Sequence, residues 1–127
     1  MRTVQRDHSE IIRATQKAMV SQLHRDGRLP KGAELGLTFY SHSPEDMQVL
    51  GTLRLGGRVL HRLRGTRQQL CAIATQSALD RLSGAEKLGY LPQAQVRWRL
   101  VEFRSDDEIV DRFIVDVEFQ ERRVKAG

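Results

Sequence analysis

Arginine is the residue type whose spacing most clearly suggests chemistry here, because five arginines fall in a stretch without any acidic residue. The stretch covers residues 47–79, and its arginines are Arg54, Arg58, Arg62, Arg64 and Arg67. The chain has 21 Lys and Arg against 16 Asp and Glu, so this stretch carries the whole formal net charge of +5. A guanidinium donates hydrogen bonds in a planar fork that matches phosphate and carboxylate oxygens. The stretch therefore predicts a local surface for an anionic partner.

Residues able to bind a metal or catalyse a reaction are scattered along the chain. The histidines are His8, His24, His42 and His61. They fall in four different predicted elements, so no pair is spaced to share one metal ion. Cys71 lies in a predicted helix, and the pattern nominates no His or Asn as its partner, so we interpret it as a packing residue. We predict no metal, no cofactor and no enzymatic activity.

Three further patterns have structural explanations. One pattern is an acidic cluster of Asp106, Asp107, Glu108 and Asp111. Its sequence lacks the Gly and the bidentate Glu that a calcium loop needs, and we interpret the cluster as a solvated hairpin tip. Gly56 and Gly57 do not lead into a helix with Lys, as a phosphate-binding loop does, and predict a turn. We expect His61 on the core face of its strand, satisfied by one hydrogen bond.

Length and composition describe one ordinary globular domain. The 127 residues are 39% apolar and 29% charged, which suits a single core over residues 1–127. One cysteine excludes a disulfide within the chain and favours a reducing compartment, so we predict a location in the cytoplasm or within an assembled particle. No apolar run approaches the roughly 18 residues of a membrane span, and we predict no membrane partner.

The elements that position the arginines begin with a helix and three strands. Asp7 and Glu10 have the spacing of a capping box, and a stripe at helical period after them predicts a helix over residues 9–24. The residues of that stripe are Ile12, Thr15, Met19 and Leu23. Alternation predicts strands over residues 35–41 and 47–55 and a third one through residues 59–63, with the first turn at 43–46. The alternate positions of the hairpin formed by the second and third strands include Arg54, Arg58, Arg62 and Arg64. Most of the arginines should therefore share one sheet face.

A second helix and a long hairpin complete the prediction. Thr66 is placed to cap the helix, whose small and apolar stripe suits packing on a sheet and which Gly84 should close. A turn over residues 105–108 predicts a hairpin of residues 96–104 and 109–121. In the register that this turn sets, Val96, Trp98 and Leu100 oppose Val117, Val115 and Phe113, and Arg97 faces Asp116. The fold class is α+β, in the order αβββαββ, with both helices packed on one sheet face.

One part of this order is similar to a known family. Residues 35–83, with Thr66, Arg67 and the pattern Ala74, Ala78, Leu79, Leu82, resemble the double-stranded RNA-binding domain. The resemblance implies duplex recognition in which Arg67 stands for a lysine at the start of the second helix. Gln68, Leu70 and Cys71 depart from the basic cluster that the family has there, and the loop over residues 43–46 is acidic.

Two functions are consistent with the arginine stretch. In the first, a non-enzymatic protein uses Arg54, Arg58, Arg62, Arg64 and Arg67 to contact the phosphates of duplex RNA or DNA. In the second, the chain is a self-associating assembly subunit, such as a phage head or tail completion protein or a dimeric adaptor or chaperone, with the arginines at subunit contacts or lining a channel. A structural alternative pairs the arginines with carboxylates of the chain's own last hairpin. That pairing would remove the motivation for both functions.

Overall fold

A computed structural model describes residues 1–41, 46–103 and 110–122 of the chain. Its elements are β1 (Arg2–Asp7), α1 (His8–Arg25), β2 (Glu34–Ser41), β3 (Met47–Leu55), β4 (Arg58–Gly65), α2 (Arg67–Leu79), α3 (Gly84–Leu88), β5 (Tyr90–Phe103) and β6 (Val110–Glu121). The predicted helix, three-stranded meander, helix and carboxyl-terminal hairpin are all present, so the α+β class is confirmed. Strand β1 and the short helix α3 are additional elements. The turns predicted at residues 43–46 and 105–108 lie largely outside the described residues.

Helix α1 begins where the capping pattern predicts. The Glu10 N–H donates to Asp7 Oδ1 at 3.0 Å, and the Asp7 N–H donates to Glu10 Oε2 at 3.1 Å. These two bonds satisfy donors that the first helical turn leaves without partners. The buried stripe is Ile11, Thr15, Met19 and Leu23. It matches the predicted stripe except at its start, where Ile11 is buried and Ile12 only partly so.

The sheet of β2, β3 and β4 is an antiparallel meander with β3 in the centre. Its tight β3–β4 turn places Gly56 and Gly57 at φ angles of 56° and 80°, which are left-handed conformations that favour glycine. Leu53 pairs with His61 while Arg54 pairs with Val59, so Leu60 is an extra residue in β4. This β-bulge changes the alternation of side chains towards the hairpin tip.

The second sheet has the order β1-β6-β5. The predicted register of its hairpin is confirmed: Val96, Trp98 and Leu100 pair with Val117, Val115 and Phe113, and Arg97 pairs with Asp116. Strand β1 pairs antiparallel with β6 on the opposite side from β5. Its sequence has a single interior apolar residue, Val4, which gave no strand signal.

An arginine from β1 is buried among the helices. Arg6 is 9% exposed, its Nε donates to Ser77 Oγ at 3.0 Å, and its Nη1 lies 3.2 Å from Glu10 Oε1 in an ion pair. Among the described residues, this buried Nη1 has no hydrogen-bond acceptor besides its ion-pair contact. Arg6 therefore connects β1 to the first turn of α1 and the last turn of α2, at a desolvation cost that these two contacts partly offset.

Helix α2 packs on both sheets and carries the central small-residue stripe. Thr66 caps it as predicted, in a capping box with Gln69. Its buried residues are Leu70, Ala74, Ser77 and Ala78, and it contacts strands of both sheets as well as α1. It ends at Leu79, five residues before Gly84, which begins α3. In the described part of the chain, no helix is long and apolar enough to cross a membrane.

The backbone at Gly65 lies close to the side chain of Val49, and this close contact gives a prediction about stability. A Cβ at Gly65 would lie 2.5 Å from Cγ1 of its cross-strand partner Val49. Val49 is fully buried and β-branched, so it cannot turn away at low cost. Gly65→Ala should lower the free energy of unfolding by about 1–3 kcal/mol through overpacking, measured by urea denaturation.

The matched variant for this measurement is Gly84→Ala. At Gly84 no atom lies within 4 Å of the added Cβ, and the position is the first of α3. We expect a change within about 0.5 kcal/mol there. Equal effects of the two substitutions would contradict the close approach of β4 to Val49.

Candidate functional site

Three of the five arginines lie together on the open face of the meander. Arg62 pairs with Thr52 and Arg64 with Leu50. Arg54 lies two residues beyond Thr52 on the same strand, so the three side chains share one face. That face is opposite the one occupied by buried Met47, Val49 and Leu53. We call Arg54, Arg62 and Arg64 the arginine face.

All three guanidinium groups of the arginine face belong to exposed residues. Within the described ranges, none of them forms an ion pair with a carboxylate or a hydrogen bond to another side chain. Glu34 is the cross-strand partner of Arg54, yet the two side chains form no salt bridge. As far as the structure describes the chain, the positive charge of the face is therefore left for solvent or a partner.

Three arginines elsewhere in the fold do have carboxylate partners. Arg99 donates to Asp116 through Nε at 2.7 Å and Nη2 at 3.2 Å, Arg6 pairs with Glu10, and Arg2 lies 3.7 Å from Glu86. Each of these side chains lies in or against the β1-β6-β5 sheet. In the described structure, Arg2, Arg6 and Arg99 of this sheet thus have carboxylate partners, whereas Arg54, Arg62 and Arg64 of the meander do not.

The remaining two predicted residues are separate from the arginine face. Arg58 is exposed and pairs with Leu55 at the hairpin tip, because the bulge at Leu60 shifts the alternation of β4. Arg67 is exposed at the first position of α2 and lines another cleft, which also holds the carboxylates of Asp46 and Glu118. Of the four arginines predicted at alternate positions of the hairpin, three share one face and Arg58 does not.

Cys71 and His61, the other candidate residues, lie on the core side of their elements. Cys71 is half-buried on α2 and packs against the core. His61 lies on the core side of β4 and lines a groove between the two helices, and among the described residues its ring forms no hydrogen bond. The expected core-side position of His61 is confirmed, since it pairs with buried Leu53, whereas the expected hydrogen bond stays a prediction. Across the described ranges, no cluster of three or more His, Cys, Asp or Glu could hold a metal ion.

Comparisons with known protein families, with curated proteins and with solved structures find no match. The similarity of residues 35–83 to the double-stranded RNA-binding domain therefore remains one of element order and of a few residues. The function has to be inferred from the geometry and charge of the site itself.

Proposed function

We propose that this protein binds nucleic acid through the arginine face. The observation that carries the proposal is that Arg54, Arg62 and Arg64 are exposed, on one face, and without a carboxylate partner in the described structure. Exposed cations that a fold does not neutralise internally raise the local potential for a polyanion. Arginine also suits phosphate better than lysine does, because its fork can contact two oxygens at once.

The spacing of the face supports a phosphate backbone as the ligand. Arg62 and Arg64 are two residues apart on an extended strand, which separates their Cα atoms by about 7 Å. Successive phosphates of an extended nucleic-acid strand have a similar separation. Arg54 adds a third charge on the adjacent strand β3, where it pairs with Val59, so a backbone running over β4 towards β3 meets three guanidinium groups.

The salt dependence of binding tests this proposal. A fluorescent oligonucleotide titrated with the protein should show log K falling linearly with log salt, with a slope of about −3 for a duplex or about −2 for a single strand if three phosphates are contacted. The measurement is fluorescence anisotropy at several salt concentrations. No binding at protein concentrations of about 10⁻⁴ M in low salt, or binding without a salt slope, would contradict the proposal.

A second candidate, a self-associating assembly subunit, has one specific observation in its favour. Leu55 and Val59 are 37% and 42% exposed at the tip of the β3–β4 hairpin, beside Arg54 and Arg58. Exposed apolar side chains within a charged rim are typical of subunit contacts. A discrete oligomer in light scattering would support this candidate, and a strict monomer would count against it.

A further inference from the structure

A groove runs along the free edge of β4, between α1 and α2, directly beside the arginine face. Its volume is about 510 Å³. Apolar side chains from four elements, α1, β3, β4 and α2, line it: Met19, Leu23, Val49, Leu63 and Ile73. Since β4 is the edge of its sheet, no further strand of the described ranges closes the groove on that side.

Small residues in its walls keep the groove open. Ala18 of α1 and Ala72 of α2 line it from opposite helices, and both are exposed. Gly65 at the end of β4 has no side chain where a Cβ would lie 2.5 Å from Val49 and 3.5 Å from Met19. Larger residues at these positions would fill the space that two helices and a strand edge enclose.

The rim of the groove is strongly cationic. Arg25 is the last residue of α1, Arg28 follows that helix, and Arg62 and Arg64 belong to β4. Asp26 is the one acidic residue among those described that line it. Two members of the arginine face therefore also border the groove, so the two surfaces are continuous.

Polar groups suited to a heterocycle lie within the groove. Gln22, His61 and Gln69 line it, and in the described structure the side chains of Gln22 and His61 form no hydrogen bond. Gln69 uses its Oε1 to accept from the Thr66 N–H at 2.9 Å, which leaves its amide nitrogen available as a donor. The groove thus combines an apolar floor with free donors and acceptors, as sites for unpaired bases do.

We infer that the groove holds an unpaired nucleobase, so that single-stranded nucleic acid is the preferred ligand of the arginine face. This inference rests on the proposed function. A base within a duplex is paired and stacked and cannot enter the groove, whereas a base of a single strand can bury its faces against the floor. Arg62 and Arg64 contact the phosphates next to that base.

Filling the groove tests the inference. Ala72→Phe places a ring in the groove from its exposed α2 wall, and Ala18→Phe does so from α1. Each should weaken binding of a single-stranded oligonucleotide by about tenfold, within the range of one lost base contact, and change duplex affinity by less than about twofold. Ala85→Phe, at an exposed position of α3 outside the groove, is the matched control and should change neither affinity.

The outcomes separate this inference from the proposed function. Wild-type protein that binds duplex and single strand equally, with a salt slope for both, would overturn the inference and leave the proposed function standing. No salt-dependent binding to either ligand would overturn the proposed function as well. If both Phe variants fold, as judged by circular dichroism, and lose binding to a poly-glutamate peptide but not to the single strand, the groove binds acidic peptide and the inference is wrong. Should one variant unfold, the other supplies the measurement.

Discussion

Replacing Arg54, Arg62 and Arg64 together with glutamate is expected to weaken nucleic-acid binding at least about a hundredfold at low salt. Each lost contact between a guanidinium and a phosphate removes about 1 kcal/mol or more, and the introduced carboxylates add repulsion. The slope of log K against log salt should become shallower by about 3 for a duplex, because three phosphate contacts disappear. Fluorescence anisotropy over a salt series measures both effects. Since all three residues are exposed and unpaired in the described structure, the fold should persist.

A second triple variant separates the position of the charge from its amount. Arg13, Lys17 and Arg81 are exposed and lie outside the meander and the groove. Reversing these three to glutamate changes the formal net charge of +5 by the same amount. We expect this variant to lose much less affinity than the first. Equal losses would show that total charge, rather than the arginine face, governs binding.

Light scattering on both triple variants addresses the assembly alternative. Under the proposed function, neither reversal should change the oligomeric state. If reversal of Arg54, Arg62 and Arg64 dissociates an oligomer while the second triple does not, the arginines lie at a subunit contact. The assembly candidate would then be favoured over direct nucleic-acid binding.

The positions of the arginines were partly predictable from sequence. The alternation through β3 and β4 indicated a shared face, and Arg54, Arg62 and Arg64 do share it. The bulge at Leu60 could not be anticipated, because it depends on how His61 and Val59 pair with β3 rather than on any local pattern. Such a one-residue shift is enough to separate Arg58 from the others.

The long hairpin shows the opposite case, in which local signals were sufficient. Apolar residues alternate on both strands, and only one register brings Trp98 opposite Val115 and keeps Arg97 opposite Asp116. Strand β1 was not predicted because Arg6, a charged residue, occupies a core-facing position there. The burial of Arg6 depends on Ser77, which is remote in the sequence, and on Glu10, which is close to it. Hydrophobic periodicity indicates neither contact.

The groove was the part of the site that sequence reasoning missed. Its walls come from α1, β4 and α2, and only the packing of two helices against a sheet edge brings them together. A weak signal existed in Ala18, Gly65 and Ala72, which are small residues where larger ones would close the space. Small residues are usually explained by helix packing, so this signal becomes specific only once the edge position of β4 is known.

The two sheets are held together at Phe113, and truncating this side chain should have the largest effect on stability. Phe113 is 1% exposed on β6. Its ring centroid lies 5.0 Å from that of Phe39 on β2 and 5.5 Å from that of Trp98 on β5. The Phe39 contact joins the sheet that carries the arginine face to the other sheet. Tilted and edge-on aromatic pairs of this kind add to the energy of burial.

Phe113→Ala should therefore lower the free energy of unfolding by about 3–5 kcal/mol, through lost burial and the cavity left behind. A domain of this size has a total stability of about 5–15 kcal/mol, so the variant should unfold at much lower urea concentration. Phe113→Leu, which keeps most of the volume, should cost clearly less. Because Phe113 lies far from solvent and the arginine face does not depend on its ring, the fraction of Phe113→Ala that remains folded should bind nucleic acid with the wild-type salt slope. A loss below about 1 kcal/mol would contradict the packing of the two sheets through this residue.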